Sequence, residues 1–401
     1  MISKKIIFLS TIIILLFSGN IVNSQNNYNS PQWISNAINT IEENAKKMLP
    51  EVIKTKKTPR SIEKGLRPSR DWTSGFYPGI LWYLYKNSKD DFWEKNAKTV
   101  TSFLKKEQYN TDDHDVGFRI YCSYGNGWLL TKKTEYKKII ITAAKSLATR
   151  YNKNTQTIQS WEARPSREWE FPVIIDNMMN LELMMEASKL SGDIHLYDLS
   201  VKHANKTMKY QYRKDMSCSH VVDYDPKTGA FRKRDWNNGY NDPKIATWSR
   251  GQSWGLYGFT MMYRETKNKK YLKHAEKIAN FLINHPNMPK DMVPYWDYES
   301  PKIPTVKDAS AGAIMASALM ELSTYSNHSK TYFKAGEKIL KSLASKNYMA
   351  KPGTNDNYTL MHATGNYIRK SEVDGPLIYA DYYFLEGLLR YTNLLNKKTL
   401  F

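Results

Sequence analysis

Small and apolar side chains recur at spacings of four, three and four residues in six places along the chain. The sets are Ile34, Ile38, Ile41, Ala45; Trp93, Ala97, Val100, Leu104; and Tyr136, Ile140, Ala143, Leu147. They continue as Tyr197, Val201, Ala204, Met208; Tyr271, Ala275, Ile278, Leu282; and Tyr332, Gly336, Ile339, Leu343. Each set is one stripe of an amphipathic helix whose other faces carry lysine, glutamate and asparagine. Between them lie six segments that are apolar, aromatic or small almost all round, beginning near Gly75, Asp115, Phe171, Ser249, Ala309 and Ala380. A helix without a polar face must be covered on every side, so these are inner helices. Alternating outer and inner helices predict an all-α fold, an (α/α)6 barrel of six hairpins, in which each hairpin buries its apolar face against its neighbours. Strand-like stretches such as Ser219 to Asp223 are short enough to be excursions, so one domain accounts for residues 25–401.

Strict alternation makes all inner helices run in one direction. Their N-termini then gather at one end of the barrel, with unpaired backbone N–H groups and positive dipole character. The entrances to the inner helices are where unusual residues concentrate: Asp71-Trp72-Thr73-Ser74, His114-Asp115, Asp176-Asn177, Trp248-Ser249-Arg250 and Asp308. A long connection, from about Tyr212 to Thr247, falls at the same end, and long loops in repeat folds tend to be functional.

The first residues change the picture of where the chain works. Lys4 and Lys5 precede an apolar run from Ile6 to Phe17, too short to span a bilayer, and small residues follow. Residues 1–24 therefore read as a signal peptide and predict an exported, periplasmic or secreted, protein. The only cysteines, Cys122 and Cys218, lie far from that segment, which disfavours a lipid anchor; they either form one bridge or stay buried as thiols. The formal net charge is +20, and loss of Lys4 and Lys5 lowers it by only two. Such a surplus favours anionic partners. Export and the absence of a nucleic-acid-binding motif argue against nucleic acid, and acidic polysaccharide is the better fit. The basic stretch from Lys46 to Arg70 reads either as a solvated connection or as a patch that steers substrate.

Two aspartates stand out. Asp115 opens an inner helix in Thr-Asp-Asp-His-Asp-Val-Gly-Phe; Asp176 is embedded in Ile174, Ile175, Met178 and Met179. Aspartates at helix N-termini mostly serve as caps. The apolar surroundings of Asp176, however, predict a carboxyl that keeps its proton, and two carboxyls in unequal environments are what acid/base catalysis needs. No compact histidine, cysteine and carboxylate set suggests a metal or other cofactor.

Six stretches, in order from Trp72 to Arg390, resemble the unsaturated glucuronyl hydrolases of glycoside hydrolase family 88. They are Trp72-Thr73-Ser74-Gly75-Phe76-Tyr77-Pro78-Gly79, His114-Asp115-Val116-Gly117-Phe118 and Ile175-Asp176-Asn177-Met178-Met179-Asn180. The others are Trp248-Ser249-Arg250-Gly251-Gln252-Ser253-Trp254, Asp308-Ala309-Ser310-Ala311 and Asp381-Tyr382-Tyr383-Phe384-Leu385-Glu386. The resemblance implies the same barrel and an enzyme that removes a 4,5-unsaturated uronic acid from the non-reducing end of oligosaccharides left by a polysaccharide lyase. An acid protonates C4 of the vinyl ether, water adds at C5, and the hemiketal rearranges to release the aglycone, with no metal. By the same resemblance Asp176 is the general acid/base and Asp115 assists by holding sugar hydroxyls. His220, Trp248, Arg250, Trp254 and Trp72 surround the sugar, with Arg250 suited to a carboxylate or sulfate.

The chain departs from the family where a glutamine often precedes Gly-Tyr: Asn238 stands there, in Asn237-Asn238-Gly239-Tyr240. The shorter amide bears on linkage preference. Unsaturated rhamnogalacturonyl hydrolases, which share fold and mechanism, are the nearest alternative. A conventional toroid glycosidase, a lyase and a non-catalytic exported glycan-binding protein are more distant ones. Chondroitin, heparin-like, gellan-type and green-algal sulfated glycans would all leave suitable oligosaccharides, and the positive charge tilts the choice towards a sulfated one.

Overall fold

A computed structural model describes residues 30–400; the signal-peptide reading of residues 1–24 lies outside them. The first hairpin pairs outer α1 (Gln32–Thr55) with inner α2 (Phe76–Ser88), and the second pairs outer α3 (Asp91–Ser102) with an inner helix in two pieces, α4 (Val116–Ile120) and α5 (Asn126–Thr131), joined by a π-helical turn. Next come α6 (Thr134–Ala148) with α7 (Asn177–Ser191) and α8 (Ile194–Tyr210) with α9 (Ser249–Thr266). The last two are α10 (Lys269–Ile283) with α11 (Ala309–Leu322) and α12 (Ser329–Leu343) with α13 (Ile378–Leu395). Inner helices pack in the order α2, α4–α5, α7, α9, α11, α13 and back to α2, which closes the predicted barrel.

Turns from an inner helix to the next outer one are short because their sequences end one helix and cap the next. Lys89, Gly192 and Lys267 take left-handed backbone (φ 58°, 77° and 55°), and the following Asp90, Asp193 and Asn268 accept the N–H groups of Phe92, His195 and Lys270. Each such cap contributes about 1 kcal/mol. Connections from outer to inner helices are long and carry all the strands. Those are β1 (Thr58–Ser61) with β2 (Gly65–Arg67), β3 (Tyr151–Asn152) with β4 (Thr157–Ile158), and the sheet β5 (Phe171–Ile174), β6 (Val221–Tyr224), β7 (Phe231–Asp235), antiparallel throughout.

Five of the six outer stripes are buried as the spacing requires. The fourth is displaced by one residue: Leu196, Ser200, His203 and Thr207 face inward, while Tyr197, Val201 and Met208 lie at the edge of the stripe with Ala204 still buried. The β3–β4 hairpin explains the rotation, because it packs on α8 and the buried His203 Nδ1 accepts the N–H of Ile158 at 3.0 Å. A second difference concerns Phe171. The β-branched run after it pairs with β6 as a strand, so this inner helix starts only at Asn177. Cys122 and Cys218 are buried and unbridged. Where α2 crosses α4, only glycine fits at position 75, since a β-carbon would collide with the Phe118 carbonyl. No described helix is long and apolar enough to cross a membrane.

Candidate active site

The N-terminal ends of the inner helices surround a cavity of about 270 Å³. Trp72 enters it from the segment before α2, His114 and Asp115 from the start of α4, Ile174 and Asp176 from the start of α7, Trp248 and Arg250 from the start of α9, and Tyr379 from the first turn of α13. His220 and Asn238 also line it. Seven of the eight residues singled out from sequence thus converge on one space.

Trp254 does not. It is fully buried against Phe118 and Tyr383, at ring-centroid distances of 5.2 and 5.4 Å. It stands one helical turn after Arg250, about 6 Å further down the axis, which places it in the packed layer beyond the cavity. Its contribution is to the barrel core.

Both aspartates occupy N-cap positions, Asp115 on α4 and Asp176 on α7, and neither side chain caps its helix. Aspartates nearby do make such bonds. Asp308 accepts the N–H groups of Ser310 and Ala311, Asp113 accepts that of Asp115, and Asp71 accepts that of Thr73. Asp113 is also paired with Arg119. Asp115 and Asp176 therefore face the cavity with carboxyls that serve no helix cap.

The three-stranded sheet brings His220 to Asp176. Pairing of Ile174 with Val221 continues one residue on, where the Ile175 N–H donates to the His220 carbonyl at 3.1 Å. His220 Nε2 then stands 3.4 Å from Asp176 Oδ2, too poorly aligned for a direct hydrogen bond. Strand β7 delivers Asn238, whose backbone N–H donates to His220 Nδ1 at 3.2 Å. With Nδ1 accepting, Nε2 is the ring nitrogen that donates, on the side of the ring nearer Asp176. The Asn238 amide oxygen is held by Asn366 Nδ2 at 2.5 Å, so Asn238 ties two walls of the cavity together.

The electrostatics correct one expectation. Burial pushes the Asp176 carboxyl up, as its apolar neighbours suggest, but His220, His114 and Arg250 together outweigh burial and hold it below the usual carboxylate range. It is Asp115 that burial, reinforced by the charge of Asp113, holds well above that range. Burial also pulls His114 down to about 4, so near neutral pH its ring is uncharged.

Arg250 is buried, not on the surface. Nη1 pairs with Asp308 at 2.7 Å and donates to the Thr364 carbonyl; Nη2 donates to the Gly365 carbonyl at 2.6 Å. The guanidinium lies over Trp248 and Tyr379, 4.5 and 5.3 Å from the ring centroids. Nε is buried and has no hydrogen-bond partner among the described residues, which leaves the guanidinium a donor suited to a carboxylate.

Sequence patterns gave no role to Trp161, Asn366, Arg369, Ser371 and Glu372, and placed Arg60 only within the basic stretch; all six also line the cavity. Arg60 grips Glu372 with Nε at 2.9 Å and Nη2 at 2.6 Å, and reaches Asp71 with Nη1 at 3.1 Å. The basic stretch therefore divides: Arg60 belongs to the cavity wall, while Lys54, Lys57 and Lys64 are exposed. Local spacing could not reveal the Arg60–Glu372 pair, whose members are 312 residues apart. Trp161 did leave a trace, as a tryptophan within a polar connection. Among the described residues no group of three histidine, cysteine or acidic side chains is placed to hold a metal ion.

The family model for Glycosyl Hydrolase Family 88 matches residues 44–383. An unsaturated glucuronyl hydrolase of Formosa agariphila is 41% identical over 403 residues, covering 98% of this chain and 100% of the relative. The crystal structure of an unsaturated glucuronyl hydrolase specific for heparin superposes with a TM-score of 0.85 at 42% identity, covering 92% of this chain and 100% of that one. A further solved structure, an Asp-to-Asn variant of such an enzyme with dGlcA-Glc-Rha-Glc, superposes with a TM-score of 0.80 at 28% identity, covering 90% and 96%. With the family model spanning most of the barrel and relatives matching it end to end, the chain belongs to Glycosyl Hydrolase Family 88.

Proposed function

We propose that this chain is an unsaturated glucuronyl hydrolase that removes a 4,5-unsaturated uronic acid from the non-reducing end of short acidic oligosaccharides. The observation that carries the reading is the pair of aspartates at cap positions that cap nothing and face one cavity, in opposite electrostatic environments. A terminal C4=C5 bond is the product of β-elimination, so a polysaccharide lyase supplies the substrate. The surplus of basic residues and the likeness to a heparin-specific enzyme support a sulfated aglycone, and the segment 1–24 supports export to the periplasm or beyond.

The ring sits with its carboxylate on Arg250 and an apolar face against Trp248 or Trp72. Asp176, beside His220, serves as the general acid/base. In the free protein it is ionised; the incoming uronate neutralises Arg250 and adds its own negative charge, and both changes favour a proton on Asp176. That proton passes to C4, leaving an oxocarbenium ion at C5. Water adds at C5 and returns a proton to Asp176; the hemiketal then opens to a ketone at C5, and the hemiacetal this leaves at C1 collapses to the aldehyde and expels the aglycone as an alcohol. Asp115 holds the sugar hydroxyls.

A second division of labour is favoured by the firm hold of Asp115 on its proton: Asp115 protonates C4 while ionised Asp176 activates the water. The alkaline limb of kcat separates the two. A group needed in its protonated form supports activity below its pKa and loses it as pH rises through that value. If Asp176 is the donor, Asp115→Asn lowers the rate but keeps the limb; if Asp115 is the donor, the limb disappears.

The activity itself is tested on lyase-generated disaccharides. Ultraviolet absorbance of the double bond decays as reducing aglycone appears, and prolonged chelation leaves the rate unchanged. A rising absorbance indicates a lyase, and an unchanged one a binding protein; either result rejects the proposal.

A further inference from the structure

The connection between β4 and β5 carries an aromatic wall of the cavity and, beside it, an arginine without an acid partner among the described residues. Trp161 lines the cavity edge-on to His220, 5.9 Å between ring centroids. It is braced from behind by Trp169, stacked at 5.9 Å with 24° between planes, and Trp169 is itself buried and tied to Asp235 through Nε1 at 2.9 Å. Arg164 and Trp169 exchange two backbone hydrogen bonds, of 2.9 and 3.1 Å, which close the loop and bring the Arg164 guanidinium over the Trp161 ring at 5.4 Å.

Other arginines in this region are neutralised: Arg150 pairs with Glu162 at 3.1 Å and Arg167 with Asp235 at 3.3 Å. Arg164 is exposed and pairs with no acid among the described residues. An indole face next to an uncompensated guanidinium suits a sugar ring that carries an anionic group, because the ring covers the aromatic surface while the charge meets the cation. Asp115 and Asp176 lie at the inner helix ends and Arg164 in the solvent-facing loop, so the sugar in question follows the cleaved bond.

We propose that Arg164, with Trp161, forms a subsite that selects aglycones bearing a sulfate or carboxylate. This inference rests on the glucuronyl hydrolase reading and adds the residue that sets its preference for charge beyond the terminal ring. Arg164 is a specificity residue and takes no part in proton transfer.

The test compares wild type, Arg164→Gln and Arg164→Lys on two unsaturated disaccharides that differ only in a sulfate on the second sugar. An unsaturated tetrasaccharide, whose additional uronate supplies a carboxylate, serves as the third substrate. Arg164→Gln is expected to lower the ratio of kcat/KM for the charged over the uncharged aglycone about five- to tenfold, through KM, with partial recovery in Arg164→Lys. Which charged substrate shows the change identifies sulfate or carboxylate as the ligand. A ratio that stays within about twofold on both, or an equal loss on all three substrates, overturns the proposal. If the wild type is inert on every substrate, the underlying hydrolase reading falls and this inference with it.

Discussion

Replacing Asp176 by asparagine is expected to lower kcat by about a thousandfold or more while leaving the barrel intact. Both halves follow from what the carboxyl does in the fold. It caps no helix, and its buried Oδ2 has no hydrogen-bond partner, so the amide removes no structural bond. Chemically the loss is severe, since an amide neither delivers a proton to C4 nor accepts one from water, and positioned acid/base catalysis is worth about a hundred- to ten-thousandfold. Substrate affinity should survive, because the proposed hold on the uronate carboxylate is through Arg250 and not through Asp176. The control is Asp308→Asn, which alters a carboxylate that both caps α11 and pairs with Arg250, and should destabilise the fold itself. Thermal unfolding and single-turnover kinetics distinguish the two variants. A folded Asp176→Asn protein with full turnover would remove Asp176 from the mechanism.

The barrel was legible because a helix that buries one stripe repeats its small and apolar residues every three or four positions, and six such stripes alternate with six all-apolar segments. The displaced stripe on α8 was not legible, since the β3–β4 hairpin that covers it contributes contacts from a separate segment. Asp115 and Asp176 could be found as acids at helix entrances, but not as acids that fail to cap, because capping depends on rotamer and neighbours. Likewise, the apolar residues beside Asp176 in sequence predicted a raised pKa, whereas His220, 44 positions away, arrives through pairing of β5 with β6 and reverses the sign. Trp254 was misplaced because its motif neighbours reach the cavity and it sits one turn too deep. Arg60 and Glu372 meet from near the two ends of the chain, a pairing that spacing cannot express.

Arg250→Ala should impair both binding and folding, a larger effect than the loss of a surface cation would produce. The guanidinium is buried and holds Asp308, which is itself fully buried, together with the carbonyls of Thr364 and Gly365. Removing it strands a carboxylate in the interior, at a cost of about 3–5 kcal/mol. In a chain of this size that corresponds to a fall in Tm of about 4–6 °C. Arg250→Lys separates the two roles. An ammonium can still neutralise Asp308, so most of the stability should return. Lysine lacks the edge formed by Nε and Nη2, however, so it offers the uronate a point charge instead of two parallel hydrogen bonds. The expected result is a Tm near that of the wild type with KM for an unsaturated disaccharide raised about tenfold or more. KM should also rise with salt, and about equally steeply in the wild type and in Arg250→Lys, since a buried bidentate contact is screened little and the basic exterior, common to both, supplies the salt dependence. If Arg250→Lys instead restores KM together with Tm, the arginine serves Asp308 and the loop alone, and the uronate carboxylate is held elsewhere in the cavity.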